Sequence, residues 1–297
     1  DLQGTSARNV VDFQTKGQTG DAQTGQDRIG DMQTRVMVSL DWDLLDDVHS
    51  RVTLRKNNRV WGDASQSVGA LETSVFADEA FIKIDKLLGH LDVALGRQFI
   101  GDEGDLIAYY GPRTGVYGMR VNALDAAKFD MGGENWTLTA LNGNPNSNDA
   151  SLGVTKENRR SIRAIILGNK GNGNVSGKVY VWNQTTHNTS GSVETSNGNL
   201  YIAGIKAKVA AGPAWLKVEL AQNFGTHRDT NTVTQDGASN YSGWALLLNG
   251  GAKVEAANLG MVTGWAEFGY GTGTRDSKSS KHDGFESVAT DYRPGSL

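Results

Sequence analysis

The sequence contains no cysteine, which removes disulfide frameworks, thiolate metal sites and cysteine nucleophiles together. It has no uninterrupted apolar run of the roughly 18 residues that a membrane-spanning helix requires, so a helical membrane protein is excluded. A basic excess is missing as well. With 29 Lys and Arg against 33 Asp and Glu, the net charge is -4, and no basic stripe supports nucleic-acid binding. Enzyme constellations are poor: there is no Gly-x-Ser-x-Gly elbow, no His-Glu-x-x-His and no phosphate loop. The five histidines, His49, His90, His187, His227 and His282, fall in separate turns and loops. "HNTS" (187–190) offers one imidazole beside a hydroxyl, the only hint of an outer-membrane hydrolase. "GDEGD" (101–105) offers Asp102, Glu103 and Asp105 to a hard cation, but its spacing matches no EF-hand and reads more simply as a solvated acidic loop. No catalytic residue, metal or cofactor is therefore expected.

What is present is alternation with a period of two. Val36, Val38, Leu40 and Trp42 interleave with Arg35, Met37, Ser39 and Asp41, and the same pattern recurs in "FIKID" (81–85), "KVYVW" (178–182), "IKAKV" (205–209) and "WLKVEL" (215–220). Short links such as "DLLDD" (43–47), "KLLGH" (86–90), "MGGEN" (131–135), "NKGNGN" (169–174) and "AAGP" (210–213) alternate strictly with long polar stretches near 15–27, 59–77, 100–116, 142–158, 183–199, 225–240 and 271–284. An up-and-down antiparallel sheet puts all its short turns at one end and its long loops at the other. The pattern predicts one domain over 1–297, an all-β transmembrane barrel of the outer membrane with about fourteen strands, short periplasmic turns and long extracellular loops. The first strand is expected near 7–15 and the last near 284–291. The closing "DYRPGSL" reads as a turn, because Pro294 cannot donate to a ladder, so further strands are expected beyond it. The chain opens on Asp1 without a basic segment and apolar stretch, and the compartment is argued from the strands alone.

The stretch "LDVALGRQFIGDEGDLIAYYGPRTGVYGMRVNAL" (91–124) resembles the signature region of the alginate-export family of outer-membrane channels. The matching positions are Gly96, Arg97 and Gln98, then Arg113, then Gly118 and Arg120. "WAEFGYGTGTRDSKSSKHDGFESV" (265–288) is similar to a second stretch of that family. The resemblance implies a porin-like channel for anionic solutes or acidic polysaccharide, in a barrel of up to roughly eighteen strands. Tyr117 stands where the family commonly has an acid before Gly-x-Arg.

If the apolar face of each strand meets lipid, the other face lines a water-filled lumen whose charges decide what passes. The solute path is assigned to Arg97, Arg113, Arg120, Arg35, Arg51, Arg55, Lys83, Arg163, Lys206, Lys208, Lys217 and Glu267. Asp41, Asp85, Asp92, Lys128, Asp130, Lys178 and Glu219 are placed on the same face. Lys83 with Asp85 and Asp92, and Lys128 with Asp130, read as structural pairs, whereas Arg51, Arg55, Arg120, Lys206 and Lys208 have less acidic company and are the better candidates for solute contact. Trp42, Trp136, Trp244 and Tyr270 read as interfacial girdles. Tyr180, Trp182 and Trp265 read as inward sugar-stacking platforms. Tyr109 and Tyr110 fall in a loop that either folds inward as a constriction or stays on the surface. Arg97 follows Leu91, Val93 and Leu95 in phase, and a bulge at or beside Gly96 is expected to turn it into the lumen near Arg120. The competing function is a structural or binding barrel, with adhesive loops or as a sheath around a partner protein.

Overall fold

The chain is described by a computed structural model, over residues 2–8, 28–61, 75–102, 104–112, 121–145, 158–171, 173–190, 193–229, 237–256, 260–273 and 281–289. Its strands are β1 (Leu2–Arg8), β2 (Arg28–Leu45), β3 (Val48–Trp61), β4 (Val75–Leu87), β5 (Leu91–Gln98), β6 (Leu124–Gly132), β7 (Trp136–Pro145), β8 (Asn158–Asn169), β9 (Val175–Ser190), β10 (Val193–Ala211), β11 (Ala214–Asp229), β12 (Gly237–Tyr241), β13 (Trp244–Ala256), β14 (Gly260–Gly271) and β15 (Lys281–His282). Thirteen of them form an up-and-down antiparallel sheet in which each pairs with its sequence neighbour, and β11 passes directly to β13. The short β12 extends β11 at the loop end, where β15 pairs with it in parallel. Among the described residues no bridge joins β1 to β14.

The short connections lie where the sequence places them. Those between β2 and β3, β4 and β5, β6 and β7, β8 and β9, β10 and β11, and β13 and β14 gather at one end. The polar stretch near 183–199 departs from expectation. It continues the β9–β10 ladder to Ser190 and Val193 with one register shift, so the hairpin is longer than its apolar part. The segment expected as a last strand near 284–291 does not join the wall. Residues 281–289 run inward instead, with Ala289 bridging Ala108 in parallel.

Paired residues share a face, so the register sorts the side chains into two walls. One wall carries large apolar groups that remain exposed, among them Val36, Val38 and Leu40 on β2, Ile165 and Leu167 on β8, Val181 on β9, Ile205 on β10 and Phe268 on β14. So broad an apolar surface on a folded chain is suited to lipid rather than water. Aromatic side chains mark its two edges. Trp42 and Trp136 sit by the short turns, and Trp244 packs on Tyr270 toward the loop end with ring centroids 4.9 Å apart.

The opposite wall holds the core. Inward residues of β6 to β11 and β13, including Leu124, Leu141, Ile162, Trp182, Leu200 and Ile202, are buried against Ile100 and Leu106–Tyr110 from the β5–β6 connection. Ile100 and Tyr110 exchange backbone hydrogen bonds of 2.8 and 2.7 Å, and Val288 and Ala289 donate to the Ile107 carbonyl at 3.0 and 3.1 Å. The infolded loop and the returning chain thus satisfy each other's backbone inside the sheet. We expect Ile165→Arg on the outer wall to weaken folding into lipid vesicles by about 2–4 kcal/mol. Denaturant titration in vesicles measures this, and an unchanged midpoint would show that this face does not meet lipid.

Candidate functional site

The inner wall divides into two regions. From β2 to β5, and at the turn end of β6, it is polar and self-paired. In β4 a bulge at Asp78 breaks the register opposite Thr53 and Leu54, so Asp78 and Glu79 are both buried. Arg55 Nε donates to Asp78 Oδ2 at 2.6 Å and Thr53 Oγ1 to Glu79 Oε2 at 2.7 Å. The Arg55 guanidinium lies 5.0 Å from the Phe76 ring centroid. Nearer the short turns Arg51 pairs with Asp41 at 2.6 Å, Lys83 with Asp85 at 2.5 Å and Lys128 with Asp130 at 2.7 Å. Arg35 is buried on the same wall.

From β9 to β14 the wall is lysine-rich. Lys178, Lys206 and Glu219 occupy one row of the ladder, and Ser176, Lys208, Lys217, Asn249 and Glu267 occupy the next row toward the turns. The infolded loop reaches the first row through Asp105, which pairs with Lys206 and lies 3.7 Å from Lys178. Glu219 completes the cluster. It accepts from the Tyr180 hydroxyl at 2.8 Å, and its Oε2 is 3.9 Å from Lys206 Nζ. Asp105 and Glu219 keep only 8% and 4% of their side-chain surface exposed, so the lysines are their necessary counterions. Beneath the cluster is a cavity of about 660 Å³ lined by Asp105, Lys178, Lys206, Lys208, Lys217 and Glu219, among others.

Lys208 and Lys217 face one another directly across β10 and β11. Among the described residues neither pairs with a carboxylate, although like charges in direct cross-strand register repel. An arrangement that is costly when empty is favourable when an anion enters between the ammonium groups.

Several sequence assignments change. Arg97 and Arg163 lie on the outer wall. β5 stays in register through Gly96 and Arg97, which pairs with Ala80 and Asp125, and its guanidinium is 3.6 Å from Asp125. Gly96 is required for another reason: at φ +126° an added Cβ would lie 2.3 Å from the Ala80 carbonyl. The glycine accommodates a close approach to β4, and the bulge falls in β4 itself. Arg163 shares its face with Ile165 and Leu167 and donates to Asn183 at 3.1 Å. Arg113 and Arg120, with Gly118, lie outside the described residues. Arg51, Arg55 and Lys206 have acidic partners after all. Tyr180 and Trp182 point inward but are buried beneath the infolded loop, so neither offers a stacking face. Tyr109 and Tyr110 are buried in that loop, and Asp105 binds lysines rather than facing solvent as a hard-cation ligand would.

Two histidines meet at the loop end. His227 Nδ1 is 3.2 Å from the Tyr241 hydroxyl, the His227 and His282 rings are 6.1 Å apart, and His282 lies 2.7 Å from Glu286. Burial, with Glu286 nearby, holds the Tyr241 phenol above its ordinary value. These contacts tie 281–289 to β11 and β12, and nothing in the spacing of the sequence announces them.

No protein-family model matches the chain, and no curated protein matches it. Similar solved structures include OmpT, an outer membrane protein of Vibrio cholerae, at 10% identity and a TM-score of 0.42 over 98% of this chain and 94% of that one. A loop L8 deletion mutant of that OmpT gives 15% identity and a TM-score of 0.44 over 93% and 94%. A mutant Rh. blastica porin gives 9% and 0.34 over 91% and 97%. These are likenesses of backbone trace at identities of 15% or less.

Removing the Asp105 charge by Asp105→Asn is expected to weaken docking of the infolded loop by about 3 kcal/mol. Proteolysis then cuts within 99–112 and the wild-type loop resists; equal resistance in both would show that the ion pair does not hold the loop.

Proposed function

We propose that the chain is an outer-membrane channel that conducts anionic solutes past the lysine-rich rows of its inner wall. Three features support the membrane setting: an exposed aliphatic outer wall, aromatic residues at both of its edges, and short turns segregated from long connections. The observation that carries the anion preference is the Lys208–Lys217 pair, which no described carboxylate neutralises while Arg51, Arg55, Lys83, Lys128 and Lys206 all have acidic partners. Cations fixed in a wall backed by lipid focus their field on the lumen. Such a path suits small carboxylates. The resemblance to the alginate-export family extends the proposal to acidic polysaccharide.

A second reading, a binding or sheathing barrel, is favoured by the infolded loop, which fills the interior between β6 and β13. Planar-bilayer recording separates the two, since a sheath shows no conductance. Under a salt gradient the channel is expected to give a reversal potential on the anion-selective side, and Lys208→Glu with Lys217→Glu to move it toward cation preference. Cation preference in the unaltered protein would refute the reading.

A further inference from the structure

Resting on that channel reading, we infer that the turn-side mouth of the lumen is a binding site for a carboxylate carried on an aromatic ring. A second cavity, of about 690 Å³, adjoins the first and shares Lys208, Lys217, Asn249 and Glu267 with it. Lys253 joins Lys208 and Lys217 in its lining, so three ammonium groups face one carboxylate. None of the three pairs with an acid among the described residues, which leaves their charge available to an incoming anion.

The same cavity carries two indoles. Trp215 and Trp265 both pair with Gly251, from β11 and β14 on either side of β13, so all three face the lumen in one row. Gly251 is needed there, because a Cβ would lie 2.5 Å from the Trp215 ring. Trp215 is held in place: its Nε1 donates to Asn249 Oδ1 at 3.2 Å, and Asn249 Nδ2 donates to Glu267 Oε2 at 3.1 Å. Trp265 stays 67% exposed in the opening, with Met261 beside it in the lining. An inward-facing indole left bare beside lysines presents a flat apolar surface to what those lysines attract.

The ring is aromatic rather than a sugar because of how the polar groups are used. The Asn249 amide is committed on both sides, to Trp215 and to Glu267. Ala210, Pro213, Ala214 and Met261 supply apolar lining. With the ammonium groups engaged by the carboxylate, the ring itself meets the two indoles and this apolar lining, where hydroxyls would lose hydrogen bonds to water and an aromatic ring loses none.

The test is equilibrium titration of the refolded protein with benzoate, acetate and benzyl alcohol, read by calorimetry and tryptophan fluorescence. Binding is measured without conduction, so a failed channel reading and a failed site give different results. Benzoate is expected to bind more tightly than either single-feature probe. Trp265→Leu is expected to weaken benzoate by about tenfold and leave acetate unchanged, and Lys217→Gln to weaken both carboxylates. Trp265 is 67% exposed and belongs to no buried cluster among the described residues, so its replacement is expected to leave the fold intact. Equal affinity for benzoate and acetate, or a Trp265→Leu protein that binds benzoate as before, would overturn the site while the anion selectivity measured in bilayers stands.

Discussion

A strand in lipid has no water to satisfy its backbone, so each must hydrogen-bond along its length to a neighbour. Here the neighbour is the next strand in sequence almost throughout. Once that ladder is set, side chains alternate without choice between two walls, and a slip of one residue would exchange them. The exposed aliphatic groups on one wall and the charges on the other are one pattern seen from two sides. The long registers from β5 to β11, shifted once, between Glu194 and Ser196, keep it coherent across the sheet.

The inner wall has to solve a second problem, since charges brought together there are partly shielded from water. Between β2 and β5 the solution is local pairing, assisted by a bulge that turns two consecutive acids inward. Between β9 and β11 it is long-range. Asp105, far away in sequence, supplies the counterion for Lys206 and carries an apolar loop with it. The loop buries Trp182, Leu200 and Ile202, which could not otherwise face a wet lumen without loss. Below this seal, toward the short turns, Lys208, Lys217 and Lys253 have no such partner among the described residues. The interior is therefore graded, from a sealed apolar region to an open cationic mouth.

The period-two signal located the strands and turns because it is a local property of adjacent residues. It also placed Arg35, Arg55, Lys206, Lys208, Lys217 and Glu267 on the inner wall. It misled at Arg97 in an instructive way. Phase alone put that arginine with Leu95, and the ladder agrees with phase; the assumption that a charge must turn inward introduced the bulge. At Arg163 the error was the same, since strict phase with Ile165 and Leu167 already placed it outside. In both cases the outer wall tolerates an arginine, where the Asp125 charge beside Arg97 and the hydrogen bond from Arg163 to Asn183 offset part of the cost of its position.

By itself the sequence determined the all-β alternation, the segregation of short turns from long connections, and most of the division between aliphatic and charged faces. These follow from neighbours in the chain. Only the tertiary structure decided which charges neutralise one another, because Asp105 with Lys206 and Asp78 with Arg55 are contacts between separate elements. It also decided that Ile100, Leu106–Tyr110 and residues 285–289 fold inward, for their apolar side chains find a partner only once the inner wall has formed. Partner choice at long range depends on where the ladder brings distant residues, which no spacing along the chain encodes.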